Sequence, residues 1–101
     1  MGRPRFEITP EILQKTEDLA AKGLTQAQIS ACLGIVPKTL IEKKRAFSEF
    51  SNAIKNGRAK GLGTITNALF DSAVKGSVPA QIFYLKNRDP DNWADVQAHN
   101  V

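Results

Sequence analysis

Residues that begin and end helices alternate at short intervals along the first half of this sequence. A Thr-Pro pair at positions 9–10 is typical of an N-cap followed by the first helical residue, and Gly23 is placed to end that helix. Thr25 and Gln28 have the spacing of a capping box, and Gly34 can adopt the left-handed conformation that closes a short helix. Two short helices are therefore predicted before residue 35.

The next two helices are delimited less clearly. Pro37 predicts the start of a third helix that runs to about Phe47, with Leu40 facing inward, and Ser48 predicts the cap of a fourth. The fourth helix meets glycines at positions 57, 61 and 63, each of which costs about 0.8–1.0 kcal/mol relative to alanine inside a helix. This stretch therefore breaks, bends or is compensated by close packing.

A last short helix is predicted after Ser77. The Asp-Pro pair at positions 89–90 ends it, because the residue before a proline is pushed out of the helical region. Trp93 is then expected to fold back as an anchor. No stretch alternates apolar and polar residues as a half-buried strand would, so the sequence predicts an all-α fold.

Length and composition limit what such a fold can be. The chain has 101 residues, 42% of them hydrophobic and 24% charged, as is typical of one small globular domain. Its single cysteine, Cys32, can form neither an intrachain disulfide nor a four-cysteine metal site, so a reducing, cytoplasmic compartment is favoured. No metal and no cofactor are expected. No apolar run long enough for a signal peptide or a membrane helix follows the basic N-terminus.

Positive charge is concentrated in one quarter of the chain. Residues 36–60 contain seven basic and two acidic side chains, a net charge of +5, whereas the other residues sum to −1. The third helix, which opens this region, is joined to the second by a turn that contains Gly34, the arrangement of a helix-turn-helix whose second helix enters the major groove of DNA. Because phosphate contacts supply most non-specific affinity, residues 9–47 are predicted to be a DNA-binding unit. A merely solvated helix face is the alternative interpretation.

The third helix supplies most of the predicted DNA contacts, and its side chains suit either base edges or phosphates. The base-edge candidates are Lys38, Glu42 and Arg45, and the phosphate candidates are Lys43 and Lys44. The face that points away from Leu40 is predicted to include Lys38, Thr39, Glu42, Lys43 and Arg45. An intrahelical ion pair with Lys38 or Lys43 is the alternative role of Glu42. Residues 1–8 are predicted to be a flexible basic arm whose Arg3 and Arg5 reach a minor groove, with a disordered tail as the alternative.

Residues 48–93 are predicted to be a helical packing and oligomerisation segment, followed by a tail over residues 94–101. Ala53, Gly57 and Gly61 are spaced four residues apart, so in a continuous helix they form a stripe of small residues that another helix can approach closely. The predicted oligomer interface consists of this stripe together with Leu62, Ile65 and Leu69. The lysines and the arginine of the same stretch exclude a membrane span there.

Catalytic groups are sparse in this sequence. His99 is alone near the C-terminus, and Cys32 is assigned to the apolar face of the second helix with Ile29 and Leu33, where it is expected to be a small core residue. No two carboxylates share a motif that would serve general acid–base chemistry. The sequence therefore predicts a protein that is not an enzyme.

Several segments occur together in one group of viral proteins. They are Gly2-Arg3-Pro4, Leu33-Gly34-Ile35, Phe47-Ser48-Glu49-Phe50, and the Ile-Phe-Tyr-Leu-Lys-Asn-Arg segment at 82–88 followed by Trp93. Through them the chain resembles, over residues 2–95, the small terminase subunits and related helix-turn-helix proteins of tailed bacteriophages and prophages. Val36 departs from that pattern, because such proteins usually place a capping serine or threonine before the third helix.

The resemblance implies a non-enzymatic protein of the bacterial host cytoplasm. Such a protein recognises viral DNA at the packaging start site, assembles into a ring or another homo-oligomer, and passes the DNA to the terminase large subunit. Two other interpretations stay open. A helix-turn-helix transcriptional regulator or recombination adaptor of a prophage would bind a short palindrome as a dimer, whereas a helical interaction module would have no nucleic-acid role.

Overall fold

In a computed structural model, which describes residues 6–94, the chain forms six helices and the described part contains no strand. The helices are α1 (Pro10–Ala21), α2 (Gln26–Leu33), α3 (Pro37–Ala46), α4 (Ser48–Val74), α5 (Val78–Arg88) and α6 (Pro90–Trp93). The predicted all-α class is confirmed. The chain divides into two compact units, one up to Gly63 and one from Thr64, so the predicted boundary at residues 47–48 falls inside the first unit.

Side-chain hydrogen bonds set the predicted starts of the first two helices. The Thr9 hydroxyl oxygen accepts a hydrogen bond from the Ile12 N–H at 3.1 Å. In the capping box, the Thr25 hydroxyl accepts from the Gln28 N–H at 3.2 Å, and the Gln28 side chain accepts from the Thr25 N–H at 2.8 Å. Gly34 closes α2 in the left-handed region, with a φ of 76°. These three predictions depend on local chemistry alone, and all are confirmed.

The junction between α3 and α4 differs in detail from the prediction. Val36 precedes α3 and makes no side-chain cap hydrogen bond, so the start of the helix depends on Pro37, as expected. Phe47 is extended, with a φ of −130°, and separates the two helices. Ser48 is the first helical residue of α4 rather than its cap, because the Phe47 carbonyl oxygen already accepts from the Ser51 N–H at 3.3 Å.

Four helices contribute to the core of the first unit. Its buried residues are Ala20, Ile29, Leu40, Phe50 and Ile54. Leu40 is the one core residue from α3, and it is completely buried. Burying a leucine side chain fully is worth about 1.5–3 kcal/mol, so Leu40 fixes the rotation of α3 about its axis. The Phe6 ring packs edge-on against Phe50, with 6.4 Å between the ring centroids.

The helix α4 continues through its glycines because α1 packs against two of them. A Cβ added at Gly57 would overlap the Glu17 carbonyl oxygen and lie 2.8 Å from the Ala20 Cβ. A Cβ added at Gly61 would overlap the carbonyl oxygen of Ala21. Of the three predicted outcomes for this stretch, the structure therefore shows compensation by close packing.

The second unit consists of residues 64–74 of α4 together with α5 and α6. The rings of Phe70 and Tyr84 meet edge-on, with 6.1 Å between their centroids. Ser77 caps α5 as predicted, since its hydroxyl accepts from the Ala80 N–H at 3.3 Å. The short α6, which ends at Trp93, was not predicted. The surface of Trp93 is 52% exposed, so the predicted anchoring by this residue is not observed.

Candidate nucleic-acid interface

The burial of Leu40 determines which face of α3 reaches solvent. Lys38, Ile41, Glu42 and Arg45 are all exposed on the opposite side of the helix. They recur at spacings of three, one and three residues, so they form one continuous stripe along α3. These four residues are called the α3 stripe below.

Two further lysines border the α3 stripe. At about 100° per residue, Lys43 and Lys44 are rotated in opposite directions from Leu40 by about 60° and about 40°, so they lie on the two sides of α3 between the buried leucine and the stripe. Both side chains are half-buried. The Lys43 ammonium group lies 5.4 Å from the centroid of the Phe47 ring, within the range of a cation–π contact. Cations therefore flank the exposed stripe on both of its edges.

The charged residues of α3 are not neutralised by one another. The alternative role of Glu42 was an ion pair with Lys38 or Lys43, and neither pair forms among residues 6–94. No ion pair within that range involves Lys44 or Arg45 either. The helix presents its charges to solvent rather than using them for internal pairing.

One basic side chain of residues 36–60 that lies outside α3 is paired with a carboxylate. The Lys60 ammonium group in α4 lies 2.7 Å from a Glu17 carboxylate oxygen of α1. The hydrogen bond to Glu17, followed by the charge of the same carboxylate, raises the pKa of Lys60 above 10.5. Lys55 and Arg58 are exposed on the same helix. Among the basic side chains of residues 36–60, those of α3 thus remain the densest group.

The described end of the predicted N-terminal arm lies close to α3. Arg3 and Arg5 lie outside the described residues. Residues 6–8 line a surface groove together with Lys43 and Phe47, so the described end of the arm lies beside the C-terminal half of α3.

Two outward assignments on α3 need correction. Thr39 and Lys43 were assigned to the exposed face, but both are half-buried. Ile41 was not predicted as a surface residue, and 45% of its surface is exposed. The sequence did contain this signal, because Ile41 follows Lys38 by three residues and is rotated by about 100° from Leu40.

The prediction that Cys32 is a core residue was wrong, since its side chain is exposed. The inner face of α2 is formed by Ile29 and Ser30, which are buried, and by Leu33, which packs against the core. Cys32 is rotated by about 100° from Leu33, so it lies beside that face rather than on it. His99 lies outside the described residues.

The structure divides the predicted oligomer interface into two parts. Ala53 and Gly57 are buried within the chain, and both Gly57 and Gly61 are approached closely by α1. The stripe of small residues does admit another helix, but that helix belongs to the same chain. Ala53 and Gly57 are therefore unavailable to a second copy. Of the remaining members, Leu62 and Ile65 are exposed and Leu69 is half-buried.

Other kinds of site find little support in residues 6–94. No group of three or more histidine, cysteine, aspartate or glutamate residues in this range is arranged to hold a metal ion. None of the helices described is both long enough and apolar enough to cross a membrane.

Comparisons of the chain with protein-family models, curated proteins and solved structures find no match. What this candidate interface could bind is therefore argued from the geometry of α3 and its neighbours.

Proposed function

We propose that this chain binds double-stranded DNA and that α3 is the helix that enters the major groove. One observation carries the proposal: the α3 stripe presents Lys38, Glu42 and Arg45 to solvent, without ion-pair partners in the described chain, on a helix held by the buried Leu40. The major groove of B-DNA admits an α-helix, and positively charged side chains on a firmly packed element suit such a ligand.

The position of α3 in the chain supports the same assignment. It follows α2 after the turn at residues 34–36, and in a helix-turn-helix the second helix reads the bases. Lys38 and Arg45 can donate to the guanine acceptors, and Glu42 can accept from the cytosine amino group.

Side chains beside the stripe suit the DNA backbone. Lys43 and Lys44 border the stripe on its two sides, where the phosphates of a groove would pass. Thr39, half-buried next to the stripe, is a further candidate contact. Arg3 and Arg5, on an arm whose described end lies beside α3, would contact the neighbouring minor groove.

As the biological role we propose recognition of viral DNA at the start of genome packaging. The chain would act as a non-enzymatic, small-terminase-like protein in the host cytoplasm and pass the DNA to a terminase large subunit. This role depends on the resemblance carried by the segment at residues 82–88 and Trp93.

We also propose that the chain associates with copies of itself through the second unit. Among the described residues from 64 onward, Ala80 is the one buried hydrophobic residue. Large apolar side chains are instead exposed there, namely Ile65, Phe70, Val74, Val78, Ile82, Phe83 and Trp93. A unit with so little buried apolar surface gains stability when another surface covers it.

The exposed apolar side chains of the second unit face more than one direction. At about 100° per residue, Val74 lies about 180° around α4 from Ile65, so these two side chains do not belong to one patch. A buried aromatic side chain covers about 150–250 Å², so the half-exposed Phe70, Phe83 and Trp93 together present roughly 300 Å². This is less than half of the ~800 Å² that each partner contributes to a stable protein–protein interface, so a second copy would have to cover aliphatic side chains as well.

Fluorescence anisotropy with a labelled 30-base-pair duplex tests the DNA-binding proposal. The unmodified chain should bind, and its affinity should fall steeply as salt is raised. Lys38→Ala with Arg45→Ala should weaken binding at least tenfold at low salt, because two groove contacts are lost. The matched control is Lys15→Ala with Lys22→Ala, which removes the same charge from exposed positions of α1 and its C-terminal cap. Equal weakening by both pairs, or no retention of DNA at low salt, would contradict the proposal.

Light scattering tests the self-association. The unmodified chain should form a discrete oligomer, and Ile65→Lys should dissociate it, because a charge would be placed in the exposed apolar surface. Ala59→Lys adds the same charge at an exposed position of α4 that belongs to the first unit and should leave the mass unchanged. A large closed oligomer supports the packaging role, and a dimer that selects a palindrome favours a regulator. A chain that is monomeric at every concentration refutes the proposed self-association.

A further inference from the structure

The exposed isoleucine of α3 is the feature that the proposed charge contacts leave without a role. Ile41 lies within the α3 stripe, three residues after Lys38 and four before Arg45, and 45% of its surface is exposed. Its neighbour Leu40, and not Ile41, is the residue of α3 that is buried in the core. A β-branched residue is also a weaker helix former than alanine or leucine.

We propose that Ile41 contacts the methyl group of a thymine and thereby contributes to sequence specificity. The inference deepens the DNA binding by α3 proposed above and depends on it. The cations around Ile41 favour an anionic ligand, yet an apolar side chain among them gains only from an apolar group on that ligand. In the major groove of DNA the C5-methyl group of thymine is such a group, and apolar side chains contact it there.

Helix geometry restricts where this thymine lies. At a rise of 1.5 Å per residue, Ile41 is about 4.5 Å along the helix axis from Lys38 and about 6 Å from Arg45. Base pairs are stacked about 3.4 Å apart. The thymine should therefore lie within about two base pairs of each guanine contacted by these two cations.

The experiment compares thymine with deoxyuridine, which lacks only the methyl group. A duplex library with 20 random base pairs is first used to select the sequence that the unmodified chain prefers. That duplex is then prepared with deoxyuridine in place of each thymine in turn, and its binding is measured by fluorescence anisotropy. At one position the substitution should weaken binding by the unmodified chain about fourfold, the effect expected for one buried methyl-sized group.

The variant Ile41→Ala separates a direct contact from an effect on DNA shape. It should bind the selected thymine duplex about fourfold more weakly than the unmodified chain does. It should bind the thymine duplex and the deoxyuridine duplex equally, because removing the methyl group and removing the Ile41 side chain delete the same contact. Lys15→Ala, which shortens an exposed side chain of α1, is the control and should keep the preference for thymine. Ile41→Ala should fold normally, since Ile41 is not part of the buried core, and circular dichroism checks this.

Each contrary result has a distinct meaning. If the unmodified chain binds both duplexes equally, or if Ile41→Ala keeps the preference for thymine, the inference about Ile41 is overturned while DNA binding stands. Binding without enrichment of any sequence also overturns it, because no base is then read. A chain that retains no duplex at low salt overturns both the inference and the proposed function.

Discussion

Adding one methyl group at position 57 should destabilise the first unit, whereas adding one at position 63 of the same helix should stabilise it. In Gly57→Ala the new Cβ would overlap the Glu17 carbonyl oxygen and lie 2.8 Å from the Ala20 Cβ. The carbonyl is backbone, so α1 has to move as a unit. Around Gly63 a Cβ would meet nothing within 4 Å.

The magnitudes follow from two opposing effects. Replacing glycine by alanine inside a helix gains about 0.8–1.0 kcal/mol at either position. Overpacking costs about 1–3 kcal/mol, and the upper part of that range applies at position 57 because the obstacle is backbone. Gly57→Ala should therefore lower the free energy of unfolding by about 2 kcal/mol, and Gly63→Ala should raise it by about 1 kcal/mol.

Urea denaturation followed by circular dichroism at 222 nm measures both changes. The midpoint should shift in opposite directions for the two variants, with an unchanged slope if unfolding is cooperative. Light scattering at the same protein concentration controls for altered self-association, which would shift the midpoint by mass action. If Gly57→Ala stabilises the protein as much as Gly63→Ala does, α1 does not pack against α4 at this glycine and the reasoning is refuted.

Three further substitutions test other features. Gly34→Ala should destabilise the first unit by about 1–2 kcal/mol, because Gly34 has a φ of 76°, and a thermal melt of the variant checks this. Leu40→Ala should cost about 2–5 kcal/mol in urea and loosen α3; a native-like midpoint would mean that Leu40 is not the anchor of that helix. The stabilisation from the raised pKa of Lys60 is present below its ordinary pKa and is lost as the pH rises through the raised value. In Glu17→Gln the NMR titration should show the pKa of Lys60 lowered toward its ordinary value, and an unchanged titration would refute the pairing.

Local chemistry made most helix ends predictable from the sequence. Thr25 and Gln28 satisfy each other's backbone N–H groups, and the N-cap role of Thr9 depends on residues within one turn. The same holds for Gly34, whose lack of a Cβ permits the left-handed turn at little cost. Ser48 was the exception, since an extended Phe47 precedes the helix in its place.

Which side chains face the core was harder to predict. Hydrophobicity assigned Cys32 to the inner face of α2, but the rotation of that helix is set by Ile29 and Ser30 together. On α3 the burial of Leu40 turned Ile41 outward and drew Thr39 partly inward. The charged residues of the candidate interface were predictable, because a helix with one strong apolar anchor exposes the opposite side. The exposed isoleucine among them was missed because it is hydrophobic, although its rotation of about 100° from Leu40 already favoured the exposed side.

The sequence by itself determined where most helices begin and end, because capping and turn chemistry act between residues a few positions apart. Tertiary structure decided the fate of the glycines in α4, since a break, a bend and close packing were all compatible with the sequence. Only the approach of α1 to Gly57 and Gly61 selected a continuous helix. That same approach buried Ala53 and Gly57 inside one chain, whereas Leu62 and Ile65 of the predicted oligomer interface stayed exposed. The physical reason is that helix ends are local, whereas close packing depends on residues distant in the sequence.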